Sequence, residues 1–218
     1  TGEIDVLSSL DRSASGVTSA SISVGRQDLT TTASGGGGAL TLAAGAVTAA
    51  GTATANGAAN ATYTISGETT TTGRTRAVMA GDSFSFNMNA VFGGTFATAP
   101  TAKQTAIYTA KDGDTAADVA RGLAAMMNFR LAEQGLSENF SVTLSDAGNN
   151  VINVTNRTGT ALAAAAAGNL TLTAGAVVGG GLAMLREIDV STTNGAKAAL
   201  SAIEGLTQTA ISAAASFG

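Results

Sequence analysis

The residues of this chain that could do chemistry carry a carboxylate, a hydroxyl or a lysine amine, because its 218 residues include neither histidine nor cysteine. That absence excludes a Ser-His-Asp triad, a cysteine nucleophile, a metal site of imidazole or thiolate, and a disulfide framework. Among the remaining groups, no pair of carboxylates has the arrangement of a known catalytic site. We therefore predict that the chain is not an enzyme and has no cofactor.

Two acidic turns contain the oxygen ligands that calcium prefers. They are residues 112–114 (Asp-Gly-Asp) and 145–150 (Ser-Asp-Ala-Gly-Asn-Asn). Neither has the spacing of a known calcium loop, and Asp, Gly and Asn are also the residues that a helix cap and a tight hairpin turn require. The structural interpretation is favoured, and no metal site is predicted.

Asn-x-Ser/Thr triplets are candidate glycosylation sites. In a chain so rich in Ser and Thr they arise by chance, and their use requires a host with the modifying machinery. The signal therefore selects none of them for a function. The triplets begin at Asn60, Asn139, Asn153, Asn156 and Asn169.

Two further segments fit ordinary structure better than a binding motif. The pair Met126-Met127 would suit an adaptable binding face, but core packing of an amphipathic helix explains it better. The glycine run 35–38 lacks the Lys-Ser/Thr and the strand-to-helix context of a phosphate loop. We interpret that run as a linker.

Charge and hydropathy restrict the partners. Only 12% of the residues are charged and the formal net charge is −4, so the basic excess with which proteins bind phosphate backbones is missing and no nucleic acid is expected. No stretch approaches the roughly 20 apolar residues of a membrane span, and no membrane partner is expected. The chain begins at Thr1 without an initiator methionine or an apolar leader, so we expect a piece of a longer protein.

Residue periodicity predicts a strand-rich region with one amphipathic helix. Apolar residues at spacings of three and four predict a helix over 115–134, with a capping box from Thr115 to Asp118 and a left-handed cap at Gly135. The order strand, helix, hairpin suggests that this helix covers one face of a sheet. The predicted strands are 20–25, 62–66, 83–88 and 106–109, and the predicted hairpin pairs 140–144 with 151–155 around a turn at 146–150.

One internal similarity joins distant parts of the chain. Residues 40–47 (Leu-Thr-Leu-Ala-Ala-Gly-Ala-Val) are echoed by residues 170–177 (Leu-Thr-Leu-Thr-Ala-Gly-Ala-Val). Two copies so far apart do not form a solenoid. They are either a chance match or the entry and exit strands of one inserted module, paired in its sheet.

A longer helix is predicted from about Thr193 to Phe217, with Ser191 as its N-cap. Its apolar residues recur near heptad spacing and predict a seam for packing against another helix. Two alternatives stay open: the helix packs on the sheet of its own domain, or its natural partner helix lies outside this chain. The predicted packing residues are Ala196, Leu200, Ile203, Leu206, Ala210 and Phe217.

Residues 188–218 resemble the segment with which bacterial flagellins return to their helical core. The family pattern of Asp-Val-Ser-Thr, two variable residues, Gly-Ala and then alanine-rich heptads is present over 189–196 and continues to the end of the chain. More weakly, residues 7–11 and 22–29 look like the extended stretch that follows the N-terminal core helices of flagellins.

The flagellin resemblance implies an α+β chain in two parts. Residues 1–32 and 186–218 would be core-proximal segments that include the long C-terminal helix, and 33–185 a variable, surface-exposed, strand-rich insert with the short amphipathic helix. It also implies an extracellular subunit of the flagellar filament, with other flagellin subunits as partners and glycans on exposed hydroxyls, for which residues 69–72 are a candidate. Without the family's terminal helices, this fragment is expected to be a monomer or weak dimer.

A further resemblance leaves an alternative function open. The helix that begins near 113–120, with the hairpin that follows it, is similar to a module inserted in flagellins, filament caps, phage tail proteins and adhesins. The chain would then be an extracellular binding module. Its loops near 66–76 or 93–104 would contact a carbohydrate or a host surface.

Overall fold

The protein has an α+β fold, as the sequence predicts. A computed structural model describes residues 3–13, 16–25, 41–42, 47–66, 69–71, 74–111, 113–145, 148–173, 185 and 188–215. Its helices are α1 (Met88–Phe92), α2 (Thr95–Thr98), α3 (Ala116–Glu133) and α4 (Thr193–Ala215). Its strands are β1 (Glu3–Ser13), β2 (Gly16–Gly25), β3 (Thr41–Leu42), β4 (Val47–Ala50), β5 (Ala61–Ile65), β6 (Thr69–Thr71), β7 (Arg74–Arg76), β8 (Ser83–Asn87), β9 (Thr105–Thr109), β10 (Phe140–Ser145), β11 (Gly148–Asn156) and β12 (Leu170–Thr173).

Within the described ranges, these strands form four antiparallel sheets. The largest has the order β10-β11-β5-β4, and a three-stranded sheet has the order β12-β8-β9. A second three-stranded sheet joins β3, β6 and β7, while β1 and β2 pair with each other as a hairpin. The strands predicted over 62–66, 83–88 and 106–109 are confirmed as β5, β8 and β9, and the strand predicted over 20–25 is the second half of β2.

The two copies of the internal repeat lie in different sheets. The first copy supplies β3, which pairs with β6, and the second supplies β12, which pairs with β8. The alternative in which the two copies pair with each other is therefore wrong for the strands described. Alternating Leu and Thr suit many strand partners equally well, so the repeat does not specify which partner is chosen.

The core is built from the few large side chains in the chain. Tyr63 of β5 meets Phe86 of β8 edge to face at 4.9 Å between ring centroids. This contact joins the β10-β11-β5-β4 sheet to the β12-β8-β9 sheet, and we call these two the larger sheets. Phe92 of α1 meets Phe140 of β10 at 5.2 Å in the same way. All four rings are buried, and such aromatic pairs add to the stabilisation from buried area.

Helix α3 forms as the sequence predicts and packs against both larger sheets. At its start the Oγ1 atom of Thr115 accepts a hydrogen bond from the backbone N–H of Asp118, and Asp118 accepts one from the N–H of Thr115, which is the predicted capping box. Gly135 follows its last turn at φ +70°. Met127 is buried in the core, so the core interpretation of Met126-Met127 is confirmed for this residue, while Met126 is partly buried against the same core.

The hairpin after α3 is confirmed, with a shorter connection than expected. Strand β10 continues to Ser145 and β11 already begins at Gly148. Asn150 therefore belongs to the strand rather than to the turn, and its Nδ2 atom donates to the carbonyl of Ile65 at 2.8 Å. Asn128 of α3 binds β10 through both atoms of its amide, donating to the carbonyl of Val142 and accepting from its N–H.

A glycine in the middle of α3 permits a close contact of this helix with a sheet. The ring of Tyr108, on β9, lies so near Gly122 that a Cβ atom there would overlap it. The Tyr108 hydroxyl donates to Asp114 Oδ2 at 2.7 Å, which fixes the ring in place. Gly122 is therefore required by packing, although glycine in a helix interior is unfavourable in itself.

We predict that Gly122→Ala lowers the free energy of unfolding by about 1–3 kcal/mol, because overpacking outweighs the gain in helix propensity. Urea unfolding followed by circular dichroism would measure the change. The matched control is Gly159→Ala, since a Cβ atom at Gly159 meets nothing within 4 Å. Equal stability of the two variants would contradict this account of the α3–β9 contact.

Candidate assembly surface on helix α4

The start of α4 is built by the residues of the flagellin-like pattern. Both the N–H and the hydroxyl of Ser191 donate to Asp189 Oδ1, at 2.9 and 2.6 Å. The Oγ1 atom of Thr192 accepts from the N–H of Gly195 at 2.9 Å, as an N-cap side chain does. The prediction of Ser191 as N-cap is therefore wrong: its hydroxyl is engaged by Asp189, and Thr192 caps the helix.

Gly195 is fixed by the same turn. A Cβ atom on this residue would overlap the carbonyl oxygen of Asp189 and press on Thr192 Oγ1. Gly135, after α3, is close to the side chain of Asn194, which a Cβ atom there would meet at 2.5 Å. Asn194, at the start of α4, thus lies against the end of α3.

The inner face of α4 consists of small residues. Gly195, Ala198, Ala199 and Ala202 are buried. Ala198 and Ala202 form a small apolar cluster with Phe129 of α3, separate from the main core. Helix α4 thus packs against helix α3, and it does so with the face that carries its buried alanines.

The outer face of α4 is exposed and carries three large apolar side chains beside the polar residues Lys197, Ser201 and Thr207. Leu200 is 71% exposed, Ile203 49% and Ile211 54%. Of the predicted packing residues, Ala196 and Ala210 are also exposed, Leu206 is partly buried, and Phe217 lies outside the described residues. The structure thus leaves most of the predicted seam exposed to solvent, and the role of these residues stays a prediction.

The predicted structural role of the first acidic turn agrees with its contacts. Asp114 Oδ2 accepts from the Tyr108 hydroxyl and from the N–H of Lys111, both at 2.7 Å. Burial, followed by this hydrogen bond to Asp114, raises the pKa of Tyr108. Asp112 and Asp146, from the two turns considered for calcium, lie outside the described residues. In the part of the chain that the structure describes, no group of three or more acidic residues could hold a metal ion.

The candidate glycosylation triplets differ in accessibility. Asn156 is fully buried, and its Nδ2 atom donates to the carbonyls of Ala53 and Thr160, which excludes it as an acceptor in the folded protein. Asn169 is partly buried, and its Nδ2 atom donates to the Tyr63 hydroxyl at 3.0 Å. Asn153 is also partly buried, whereas Asn60 and Asn139 are exposed.

The segments proposed as adhesive loops are largely ordered elements. Residues 93–104 contain α2 and a 3-10 turn over Thr101–Lys103, with Phe96 and Ala99 buried. Residues 66–76 contain the strands β6 and β7. The side chains of 67–76, including the candidate hydroxyls at 69–72, lie outside the described residues.

Comparison with known proteins gives no relative: no protein-family model, curated protein or solved structure matches this chain. Among the helices of the described part of the chain, none is both long and apolar enough to cross a membrane.

A negative charge should destabilise α4 when it is placed on the inner face and have little effect on the outer face. We predict that Ala198→Asp lowers the free energy of unfolding, measured from the helical circular dichroism signal, by about 2–4 kcal/mol. The reason is that a buried charge without a partner is strongly disfavoured. Ile203→Asp should change it by no more than about 0.5 kcal/mol, because this side chain is already half exposed. Urea titrations of both variants would measure the difference, and equal losses would show that the faces are assigned incorrectly.

Proposed function

We propose that this chain is the outer part of a bacterial flagellin, a structural subunit of the flagellar filament outside the cell. The observation that carries the proposal is the exposed face of α4 that presents the large apolar side chains Leu200, Ile203 and Ile211. This face belongs to the segment that resembles the return of flagellins to their helical core. The resembling residue pattern and the exposed large apolar side chains therefore lie on one helix.

The physical reason is the cost of leaving apolar area in water. Burial contributes roughly 25 cal/mol per Å² of apolar surface, so several exposed branched side chains on one helix favour association with another apolar surface. On a helix, such side chains at spacings of three and four match the ridges of a partner helix. Other flagellin subunits, or helices of the same full-length protein, would supply that partner.

The remainder of the fold supports a display role in this proposal. α4 contacts α3 with its small inner residues, which leaves the large apolar residues of its outer face available. The two larger sheets and α3 form a separate core around buried aromatic rings. The strand-rich region, assigned to 33–185, would then lie on the filament surface, where glycans on exposed hydroxyls are the modification that the resemblance suggests.

The test is filament formation by the full-length product of the gene that encodes this chain. We expect Leu200→Asp and Ile203→Asp to raise the critical concentration for polymerisation at least tenfold, because each would place a charge in an apolar seam. The matched control is Ser201→Asp, which adds the same charge at an exposed position of the same helix. Sedimentation and electron microscopy would measure assembly.

Normal filament formation by Leu200→Asp and Ile203→Asp would show that these residues do not pack in the filament. A wild-type product that stays monomeric under filament-promoting conditions would overturn the flagellin proposal itself. The adhesin alternative would then lead, and a glycan array probed with the chain would be the next measurement.

A further inference from the structure

Four charged residues form a cluster between the end of α3 and the start of α4. We call Lys103, Arg130, Glu133 and Asp189 the ionic cluster. Lys103 ends the 3-10 turn before β9, Arg130 and Glu133 lie in the last turn of α3, and Asp189 precedes α4. Its two cations and two anions balance, and it links three segments that are distant in sequence.

The inner half of the cluster is a buried ion pair. Arg130 Nη1 is 2.8 Å from Glu133 Oε2, and the exposed fractions of the two side chains are 4% and 1%. Arg130 also donates to the carbonyls of Thr105 and Ala102, at 3.1 and 3.4 Å. These contacts fix the turn that carries Lys103 to the end of α3.

Lys103 connects the inner half to the outer half. Its Nζ atom lies 3.3 Å from Glu133 Oε1 and 2.9 Å from Asp189 Oδ2. Glu133 Oε1 is buried and accepts no hydrogen bond from the described residues, so the lysine charge is what compensates it. The lysine ammonium is thereby directed to the point where Asp189 arrives.

Asp189 uses its two carboxylate oxygens for different tasks. Oδ2 pairs with Lys103, and Oδ1 accepts from the N–H and the hydroxyl of Ser191. The turn that follows brings Thr192 to its capping position and places Gly195 against the Asp189 carbonyl. The position of this one carboxylate therefore bears directly on where α4 begins.

We propose that the Lys103–Asp189 ion pair is an electrostatic tether that holds the start of α4 against α3 and so sets the position of this helix on the α+β unit. The apolar contact beside this ion pair consists of Phe129, Ala198 and Ala202, with Met126, Ala132 and Ile188 partly buried against them. The ion pair adds a charged contact at the point where the chain enters α4. The inference does not rest on filament formation and holds for the chain by itself.

The tether works across the ordinary pH range. Hydrogen bonding with Lys103, then with Ser191, lowers the pKa of Asp189, and hydrogen bonding with Asp189 raises the pKa of Lys103. The contribution of Asp189 is complete above its unfolded pKa near 4 and is lost only as the pH falls toward the lower folded value. The contribution of Lys103 is complete below its unfolded pKa near 10.4 and is lost only as the pH rises toward the higher folded value.

High salt should weaken the Lys103–Asp189 ion pair even at a pH where both groups are fully charged. Lys103 and Asp189 have side chains that are 23% and 36% exposed, so mobile ions reach their pair. The Arg130–Glu133 pair is buried and is screened much less. High ionic strength therefore acts mainly on the outer half of the cluster.

The experiment is hydrogen exchange measured by mass spectrometry on the chain at pH 7 and low salt. We compare wild type with Asp189→Asn, which keeps an oxygen for Ser191 but loses the charge, with Lys103→Met, and with the double variant. We expect exchange over 193–203 to rise about three- to tenfold in each single variant. Exchange over 116–131 should be unchanged in Asp189→Asn, which leaves Lys103 beside Glu133. The double variant should show no more than the larger single effect, because both changes break the same contact.

The matched control is Arg121→Gln. It removes the exposed Arg121–Asp118 pair, which lies within α3 and ties no second segment to it, and should leave α4 unchanged. Salt at 1 M should raise α4 exchange in wild type but not in Asp189→Asn. Unchanged α4 exchange in Lys103→Met would overturn the proposal, as would an equal rise over α3 and α4 in Asp189→Asn.

Discussion

The main constraint on this fold is that the chain has few large side chains with which to fill a core. The chain has seven phenylalanines and two tyrosines and no tryptophan. Alanine, its main apolar residue, buries little area, so the core volume has to come from a few rings and branched side chains. Phe84, Phe86, Phe92, Phe96 and Phe140 all lie in one cluster with Tyr63. The strands and the two short helices that carry them are small elements, and concentrating the rings at one place gives these elements a common core.

Helix α3 joins that core to the rest of the described fold. One of its faces closes over both larger sheets, and Gly122 lets the ring of Tyr108 fit beneath it. At its other end, Phe129 packs with Ala198 and Ala202 of α4, and Glu133 is linked through Lys103 to Asp189, which precedes α4. The junction between the two helices thus combines an apolar cluster with a network of ion pairs.

Local patterns in the sequence specify the elements, whereas contacts between distant residues decide their arrangement. The capping box and the spacing of Val119, Leu123 and Met127 are enough to locate α3. Ser191 and Thr192 are both good N-cap residues, so only the position of Asp189 distinguishes them. The ionic cluster is invisible in the sequence because Lys103 and Asp189 are 86 residues apart. The heptad pattern identifies the large residues of α4, while its contact with α3 uses the small ones, which carry little hydropathy signal.

Helix α4 has small side chains on its inner face and large apolar side chains on its exposed face. The two faces are subject to different constraints on which residues they can carry. The size of the side chain is limited at 198 and 202 by α3, and at 195 by the carbonyl oxygen of Asp189. At 200, 203 and 211, where the side chains are 49–71% exposed, we expect the folded unit to accept polar residues as readily as apolar ones. If sequence variants of this protein keep leucine or isoleucine at those three positions, the requirement must come from a surface outside the folded unit. A catalogue of natural variation would then reveal a partner without any structure of the complex.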